Sequence, residues 1–203
     1  MNTIRSVCVY CGSSPGRGDV YMKAGQTLGR SIADAGLRLI YGGGTKGIMG
    51  AVANGALAAG GKVTGIIPRF LLNREATETA LDRLDELIIT ENMHERKHRM
   101  FEASDAFVAL PGGIGTVEEI VEIMTWAQLG HHRKPMVFGN VDGFWNPMLK
   151  LIEHMREEGF VHTAHLVNPL VIAKPESIVA AIMTEAASDG APSDGVRDVI
   201  DKM

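Results

Sequence analysis

The chain has 203 residues, of which 45% are hydrophobic and 22% are charged, so it is long enough for one α/β domain with a sizeable core. Its net charge is −4 and no basic stripe runs along it, which argues against a nucleic acid as a partner. No apolar stretch reaches the length of a membrane span, and the first residues lack the pattern of a signal peptide. We therefore expect a cytoplasmic protein with no membrane partner.

Apolar, β-branched runs alternate with helical patterns from one end of the chain to the other. The predicted strands are residues 4–10, 37–41, 62–67, 86–90, 106–110, 135–139 and 170–173. The predicted helices lie near residues 19–35, 47–59, 92–104, 116–129, 144–157 and 175–186. Near-continuous apolar strands are typical of parallel sheets that helices cover on both faces. The alternation therefore predicts an α/β fold with a single Rossmann-like, doubly wound and mainly parallel sheet of about seven strands.

Two segments depart from this alternation. Residues 68–85 form a long polar connection between two strands, and connections of that length are often functional unless they carry a short helix. Residues 187–203 are small and polar, and we expect a loosely held tail after a domain that spans residues 1–186. The two cysteines, Cys8 and Cys11, are three residues apart on the first predicted strand, where their side chains face opposite sides. We interpret them as packing residues.

Three loops rich in small residues follow predicted strands: residues 11–18 (CGSSPGRG), 41–50 (YGGGTKGIMG) and 111–116 (PGGIGT). The carboxyl ends of parallel strands meet at one edge of a sheet, where ligands bind, so we expect the three loops to form one site. Residues 42–47 make a GxGxxG before a helix, which favours an anion at the helix N-terminus. The candidate binding residues in the first two loops are Ser13, Gly43, Gly44 and Thr45.

A dinucleotide cofactor is not favoured by the second of these loops. The dinucleotide fingerprint usually stands in the first βα turn, and an acidic residue ends the next strand. Here the motif follows the second strand, and the next predicted strand (62–67) ends in the segment VTGIIPR without an acid. No GxxxxGK(S/T) motif is present, so a P-loop nucleotidase is not expected either, and we expect no cofactor. For any single glycine loop, a tight turn with close helix–sheet packing is the alternative.

Glutamates cluster after the third loop. Glu118, Glu119 and Glu122 lie near the start of a predicted helix, where the helix dipole stabilises negative charge. Thr116 and Glu119 also have the T-x-x-E spacing of a capping box, in which Glu119 only closes the first turn. The functional alternative is a carboxylate at the mouth of the ligand site, beside amides that hold a phosphate. The spacing alone leaves both interpretations open.

The segment HERKH, from His94 to His98, is a literal HExxH whose two histidines would share a helix face as zinc ligands. A zinc hydrolase with Glu95 as base would leave the three glycine loops unexplained and would put two cations beside the metal, so we expect no metal. One alternative is a solvated, charge-rich helix face. Another is that Arg96 and Lys97 lie at a strand end, where they meet an anion.

Two motifs together carry a resemblance to a known family. PGGIGTVEE (111–119) matches a PGGxGTxxE signature and follows MHERK (93–97), and the pair resembles the LOG ("lonely guy") family of phosphoribohydrolases. The segments VCVYCGSSPG, YGGGTKGIMG, NRE, TWAQLG and KPMVFGNVDGFWNPML agree with it, so the resemblance covers about residues 4–175. Members of this family were often labelled lysine decarboxylases, but the sequence has no feature specific to a pyridoxal cofactor site.

The resemblance implies hydrolysis of the N-glycosidic bond of a nucleoside 5′-monophosphate, which gives free base and ribose 5-phosphate. Plant-type members act on N6-modified adenine nucleotides, the cytokinin precursors, and many bacterial members also accept AMP. Arg96 and Glu119 match the family's catalytic pair, and Glu75 in NRE matches its base-side glutamate, although Asn73 replaces the usual proline. The positions that match substrate-binding residues are Lys97, Gly112, Gly113, Ile114, Gly115, Thr116, Val117 and Glu118.

The physical chemistry of the reaction agrees with these roles. Cleavage of a C1′–N bond builds positive charge on the sugar, as in other glycoside hydrolysis. We expect Glu119 to stabilise this charge and to orient or deprotonate the attacking water. We expect Arg96 to fix Glu119 or the ribose hydroxyls, and the amides of residues 111–116 to bind the 5′-phosphate.

Partners follow from the same resemblance. The expected substrate is a small nucleoside 5′-monophosphate, either AMP or N6-isopentenyl-AMP. The family is usually dimeric, so we expect a homodimer, although ordinary core packing explains the apolar face of helix 116–129 equally well. The candidate dimer contacts on that helix are Met124, Trp126 and Leu129. A nucleotide-binding or sensing protein without turnover is the alternative function.

Overall fold

The structure is a computed structural model that describes residues 3–161 and 169–188. These residues form one seven-stranded sheet in which every neighbouring pair of strands is parallel. The strands are β1 (Ser6–Tyr10), β2 (Arg38–Tyr41), β3 (Val63–Pro68), β4 (Glu86–Thr90), β5 (Ala106–Ala109), β6 (Met136–Gly139) and β7 (Leu170–Ile172). All the predicted strands are therefore present, and the α/β prediction is confirmed.

Helices connect the strands and cover both faces of the sheet. They are α1 (Val20–Asp34), α2 (Gly47–Ala58), α3 (Leu72–Glu75), α4 (Glu78–Leu81), α5 (Met93–Glu102), α6 (Ile114–Gln128), α7 (Asn146–Glu157) and α8 (Ile178–Ser188). None of these helices, in the part of the chain described, is long and apolar enough to cross a membrane. The short helices α3 and α4 lie in the connection predicted at 68–85. Of the expected tail, residues 187 and 188 belong to α8 and the others lie outside the described residues.

The strand order is β4-β3-β2-β1-β5-β6-β7. The chain therefore builds outward from β1 in one direction and then returns to add β5, β6 and β7 on the other side of β1. Open α/β sheets bind ligands where the order reverses, which here is the crevice between β1 and β5. The register pairs Tyr10 with Ala109, so the loops that follow these two residues start side by side.

The side chains of β1 alternate between the two cores of the protein. Val7 and Val9 pack in the core that also contains residues of α1, α2 and α8. Cys8 and Tyr10 point to the opposite core, which contains residues of α5, α6 and α7. Cys11 joins the first core, and both cysteines are buried and free. The interpretation of the two cysteines as packing residues on opposite faces is confirmed.

Candidate active site

The three glycine-rich loops meet at the crevice between β1 and β5. The backbone N–H of Gly12 donates to the carbonyl of Pro111 (3.0 Å), and the N–H of Met49 donates to the carbonyl of Gly12 (3.2 Å). A Cβ built at Gly47, whose φ is +56°, would collide with the backbone of Ser13. The glycines therefore allow the loops to pack backbone against backbone, and the expected meeting of three loops is present.

A cleft opens beside these loops, and aromatic side chains form part of its wall. Tyr21 from α1 and Phe144 from the segment before α7 make an edge-to-face pair, with ring centroids 5.8 Å apart. The other lining residues are Gly12, Ser14, Gly16, Ile48, Pro111, Gly112 and Gly113. Sequence reasoning did not select Tyr21 or Phe144 as site residues, because an aromatic residue on its own carries no chemical signature and only the fold brings these two together.

Helix α6 begins at Ile114, and its N-cap residue is Gly113, whose backbone is extended. Thr116 therefore lies within the first turn, and its side chain occupies the space that a Cβ on Gly112 would need. The capping-box interpretation of Thr116 and Glu119 is wrong. The physical reason is that a glycine is accepted at the N-cap, so the helix starts directly after PGG, two residues earlier than predicted. Glu119 stands in the second turn and has no capping role.

Glu119 faces the interior of the protein and is only 8% exposed. Burial raises the pKa of its carboxyl group from the usual 4.5 to about 7. Arg96 and Lys97 oppose this shift, whereas the negative charges of Glu118 and Glu75 add to it. A buried carboxyl group with a pKa near neutrality can exchange protons under physiological conditions, which is the property of a general acid or base.

Arg96 supplies the positive charge beside this carboxyl group. Its Nη2 lies 3.7 Å from Oε1 of Glu119, and its Nη1 lies 3.7 Å from the sulfur of Met93. The residue is 6% exposed, and among the described residues its Nε has no hydrogen-bond partner. Most buried donors are hydrogen-bonded, and 3.7 Å is too long for a hydrogen bond between nitrogen and oxygen. The guanidinium therefore keeps donors that a ligand or a water molecule can use.

The start of α5 fixes the position from which Arg96 extends. Asn92 is the N-cap residue, and its side chain accepts a hydrogen bond from the N–H of Glu95 (2.9 Å). The carboxylate of Glu95 accepts one from the N–H of Glu91 (3.0 Å). These two bonds satisfy backbone donors at the helix start and hold the first turn of α5. Arg96 follows directly and is buried, whereas its neighbours on both sides are more exposed.

Lys97, a predicted binding residue, contacts carboxylates of α6. Its ammonium group donates to Glu118 and to Glu122, the second at 3.1 Å. Burial lowers the pKa of Lys97, but the hydrogen bonds that it donates to these two carboxylates, together with their negative charges, outweigh this effect and the pKa is raised overall. A substrate that bound Lys97 would have to compete with both carboxylates.

Glu75 ends the short helix α3, and Thr45 anchors it to the second glycine loop. The N–H of Thr45 (2.8 Å) and its hydroxyl (3.3 Å) donate to the carbonyl of Glu75. The N–H of Thr77 in turn donates to the hydroxyl of Thr45 (3.2 Å). The carboxylate of Glu75 lies close enough to Glu119 to raise its pKa. The fold therefore brings Glu75 toward the buried pair, and the polar groups of Thr45 are used for this anchor.

The other predicted binding residues surround the same crevice. Gly43 and Gly44 are both buried. Gly43 has a φ of +74°, and a Cβ built there would lie 2.9 Å from the side chain of Ile67. A Cβ built at Gly44 would lie 2.6 Å from the side chain of Met49. The positive φ and the close contact with β3 favour glycine at position 43, whereas a side chain at position 44 would have to displace the end of Met49. The predicted binding residues that are exposed to solvent are Ser13, Gly113, Ile114, Gly115 and Glu118. Those that are half-buried are Gly112 and Val117.

The HERKH segment does not assemble the set of ligands that zinc needs. His94 and His98 are both exposed, and Nε2 of His98 lies 3.3 Å from a carboxylate oxygen of Glu102. Glu95, the imagined base, holds the start of the helix. Over residues 3–161 and 169–188, no group of three histidine, cysteine, aspartate or glutamate side chains is placed to hold a metal ion. Zinc sites use three or four protein ligands, so the solvated helix face is the better explanation of the histidines.

Comparison with known proteins shows which family shares these features. Residues 49–182 match a family model described as "Possible lysine decarboxylase". A cytokinin riboside 5′-monophosphate phosphoribohydrolase from Rhodococcoides fascians is 45% identical over 180 residues, which cover 89% of this chain and 90% of the relative. The cytokinin riboside 5′-monophosphate phosphoribohydrolase LOG from Oryza sativa subsp. japonica is 46% identical over 157 residues. That match covers 77% of this chain and 64% of the rice protein.

Solved structures share the fold at lower identity. A molybdenum cofactor carrier protein from Chlamydomonas reinhardtii has a TM-score of 0.69 and 23% identity, over 91% of this chain and 99% of that chain. At this identity the likeness concerns the fold. The curated relatives are far more similar, and the family match includes both Arg96 and Glu119. The chain therefore belongs to the family of this model, the LOG family that its two motifs indicate.

Proposed function

We propose that this protein hydrolyses the N-glycosidic bond of AMP or of an N6-modified AMP and releases the free base and ribose 5-phosphate. The observation that carries the proposal is the buried pair of Arg96 and Glu119, in which the carboxyl pKa is about 7 and, within the described residues, Nε of the guanidinium has no partner. Relatives at 45% and 46% identity, named for this reaction, support it. The pair also lies beside the crevice where such sheets bind ligands.

The phosphate end of the substrate is assigned to the start of α6. This helix is 15 residues long, and no side chain caps its N-terminus. The first backbone N–H groups of a helix lack intrahelical partners, and the helix dipole favours an anion there. Gly113, Ile114 and Gly115 are exposed at this end, so a phosphate can approach the backbone. Binding energy from the phosphate, which does not react, then holds C1′ near Glu119.

The chemical step requires one carboxylate and one water molecule. The C1′–N bond breaks and its electron pair leaves with the base, while the water oxygen forms a bond to C1′. Glu119 in its ionised form stabilises the positive charge that develops on the sugar and accepts a proton from the water. The departing base takes up a proton in turn, so the reaction has no net proton change.

Arg96 is assigned two tasks in this step. It balances the charge of Glu119 inside the protein, which limits how far burial raises the carboxyl pKa. Its planar guanidinium also has donors left for the ribose hydroxyls, and a bidentate contact of this kind orients the sugar better than a lysine would. Glu75 is the candidate contact for the base, and the connection that contains α3 and α4 is the candidate region for selecting N6 substituents.

We also expect a cytoplasmic homodimer. Of the three candidate contacts on α6, Met124 is 8% exposed within the core and Trp126 packs edge-to-face on Phe101 with ring centroids 4.7 Å apart. Leu129 is 68% exposed and Val121 is 38% exposed, so these side chains leave apolar surface for a second copy. Sedimentation velocity of the purified protein measures the oligomeric state, and a single monomer boundary across micromolar concentrations would contradict the dimer.

The proposed reaction is tested by incubating the purified protein with AMP and with N6-isopentenyl-AMP and by quantifying the base and ribose 5-phosphate. We expect equimolar products from at least one nucleotide. Adenosine, which lacks the phosphate, should react at least about 100-fold more slowly, because it lacks the binding energy of the phosphate. Comparison of the two nucleotides gives the preference for N6 substituents.

One result would overturn the proposal in favour of the sensing function. AMP would bind, as measured by calorimetry, but no base would appear from either nucleotide. Binding that persisted with AMP and disappeared with adenosine would then indicate a phosphate-dependent nucleotide sensor.

A further inference from the structure

We propose that Gly42 is a positioning residue of the reaction, because the absence of a side chain at this position leaves the space in which the guanidinium of Arg96 reaches Glu119. This inference rests on the proposed phosphoribohydrolase function for its kinetic consequence. Its geometric part concerns the folded protein alone and can be tested without turnover.

The geometry is specific to one atom. A Cβ built at Gly42 would lie 1.9 Å from Nη2 of Arg96 and 3.1 Å from its Cζ. Nη2 is the same nitrogen that lies 3.7 Å from Oε1 of Glu119. Even the smallest side chain at position 42 therefore overlaps the part of Arg96 that faces the carboxylate.

Backbone conformation does not explain the glycine at position 42. Gly43 and Gly47, in the same loop, have φ values of +74° and +56°, which favour glycine. Gly42 is not among the glycines with positive φ, so an L-residue could adopt its backbone. The requirement at this position is space, and the occupant of the space is Arg96.

Arg96 has little room to move aside. It is 6% exposed, and its Nη1 is already 3.7 Å from the sulfur of Met93. The sulfur of Met49 lies 3.3 Å from the same built Cβ, which closes another side of the space. Protein interiors are close-packed, so an added methyl group would displace the guanidinium rather than fill a void.

Displacement of Arg96 would change the charge environment of Glu119. Four charged groups act on the pKa of this carboxyl group: Arg96 and Lys97 from α5, Glu118 from α6 and Glu75 from α3. Glu119 in turn raises the pKa values of Cys8, Tyr10 and Cys11, which lie on β1 or directly after it. Arg96 is the largest of the influences that lower the pKa of Glu119. With the guanidinium moved away, the carboxyl group is protonated over a wider pH range and fewer molecules carry the ionised form.

The kinetic test compares Gly42→Ala with a matched control. We expect Gly42→Ala to shift the pH midpoint of kcat for AMP upward by about one unit, which by itself lowers kcat about fivefold at pH 7, with a further loss where the displaced guanidinium no longer reaches the ribose hydroxyls. Gly139→Ala is the control, because Gly139 is also a buried glycine at the end of a strand and a Cβ there would meet Leu110 at 2.6 Å. The control should keep the pH midpoint and kcat of the wild type. A Gly42→Ala profile that matches the control would overturn the proposal.

A double-mutant cycle tests whether Gly42 acts through Arg96. In an Arg96→Ala background the methyl group at position 42 no longer meets a guanidinium, so Gly42→Ala should cost no further activity. The shortened side chain should also rescue stability, and the double variant should melt at a higher temperature than Gly42→Ala alone. The comparison of melting temperatures remains informative even when Gly42→Ala alone folds poorly. Additive losses of activity without rescue of the melting temperature would overturn the proposal.

A spectroscopic readout separates this inference from the proposed function. Carboxyl ¹³C NMR of protein labelled at glutamate reports the ionisation of Glu119, which is assigned by its absence in Glu119→Gln. We expect the Glu119 midpoint to move upward in Gly42→Ala and to stay in Gly139→Ala. If the wild type released no base but the midpoint moved, the proposed reaction would be wrong and the positioning role of Gly42 would stand. An unchanged midpoint in a protein that does release base would overturn the role of Gly42.

Discussion

Neighbouring residues on α5 and α6 form two ionic contacts of opposite character. Lys97 contacts Glu118 and Glu122 closely, and the side chain of Glu118 is 52% exposed. Arg96 precedes Lys97 on α5, and Glu119 follows Glu118 on α6. Both side chains are more than nine-tenths buried, and Nη2 of Arg96 lies 3.7 Å from Oε1 of Glu119. One partner of the close contact, Glu118, is half exposed to solvent, whereas both partners of the loose contact are buried.

This difference separates a contact with close ionic partners from one whose charges are only partly compensated. The ammonium group of Lys97 has two carboxylate partners, so this cluster links two helices and a ligand would have to compete with both carboxylates. The Arg96 pair leaves charge and donors only partly compensated in the interior, which costs stability and is typical of functional sites. Incomplete compensation is therefore the property that distinguishes the pair proposed to be reactive, and the proposal can be tested by removing each charge in turn.

The largest effect is expected from Glu119→Gln, which keeps the shape of the side chain and removes its charge. We expect kcat for base release to fall at least about 1,000-fold, because no ionised carboxylate then faces C1′. AMP affinity, measured by calorimetry, should change less than about threefold. If Glu119→Gln retained more than a tenth of the kcat of the wild type, Glu119 would not take part in the chemical step.

The same substitution should stabilise the fold at high pH. The pKa of Glu119 is about 7 in the folded protein and near 4.5 in an unfolded chain, so the folded state holds the proton more tightly. The contribution of Glu119 to the free energy of unfolding is therefore most favourable below pH 4.5 and decreases as the pH rises to 7. Above pH 7 the folded protein is less stable by on the order of 3 kcal/mol than it is below pH 4.5, because of this one group. We measure the free energy of unfolding in urea at pH 5 and pH 8. Relative to the wild type, Glu119→Gln should be stabilised more at pH 8 than at pH 5. If Glu119→Gln were instead less stable than the wild type at pH 8, the ionised carboxylate of Glu119 would have a structural role.

An intermediate effect is expected from pH alone. If Glu119 acts as a carboxylate, kcat at saturating AMP should rise about tenfold per pH unit below pH 7 and become constant above it. Glu122→Gln is the control, because it removes a neighbouring carboxylate and should leave this midpoint in place. A kcat that instead fell as pH increased through 7 would assign Glu119 the role of a proton donor.

The smallest effect is expected from the same Glu122→Gln variant when its stability and activity are measured at one pH. Lys97 keeps its contact with Glu118, so we expect the free energy of unfolding to fall by at most about 1 kcal/mol. The value of kcat should change less than about threefold. A loss of activity as large as that of Glu119→Gln would erase the distinction between the two contacts.

The order of strands and helices was predictable because short apolar runs alternate with helical patterns along most of the chain. The start of α6 was not predictable in the same way. PGG and T-x-x-E each offer a plausible helix start, and both satisfy local rules. The structure places the start at Ile114, where the side chain of Thr116 fills the space left by Gly112. This choice depends on packing, which local rules do not contain.

The family resemblance assigned Arg96 to the catalytic pair and Lys97 to substrate binding, but the sequence did not indicate how deeply each residue is buried. The two residues are adjacent, yet only Arg96 is buried, and Lys97 turns to the carboxylates of α6. The direction of each side chain follows from which neighbouring helix it faces, so it required the fold. Thr45 is a similar case, because its polar groups anchor Glu75 from a distant part of the chain.

By itself, the sequence determined the alternation of strands and helices, the three glycine loops at one edge of the sheet, and the identity of Arg96 and Glu119 as the candidate pair. These features depend on residues close together in the chain or on a recognisable motif. The tertiary structure decided that Glu119 is buried, that its pKa is near 7, and that Gly42 makes room for Arg96. Burial and charge environment depend on contacts among distant segments, and such contacts exist only once the sheet has brought those segments together.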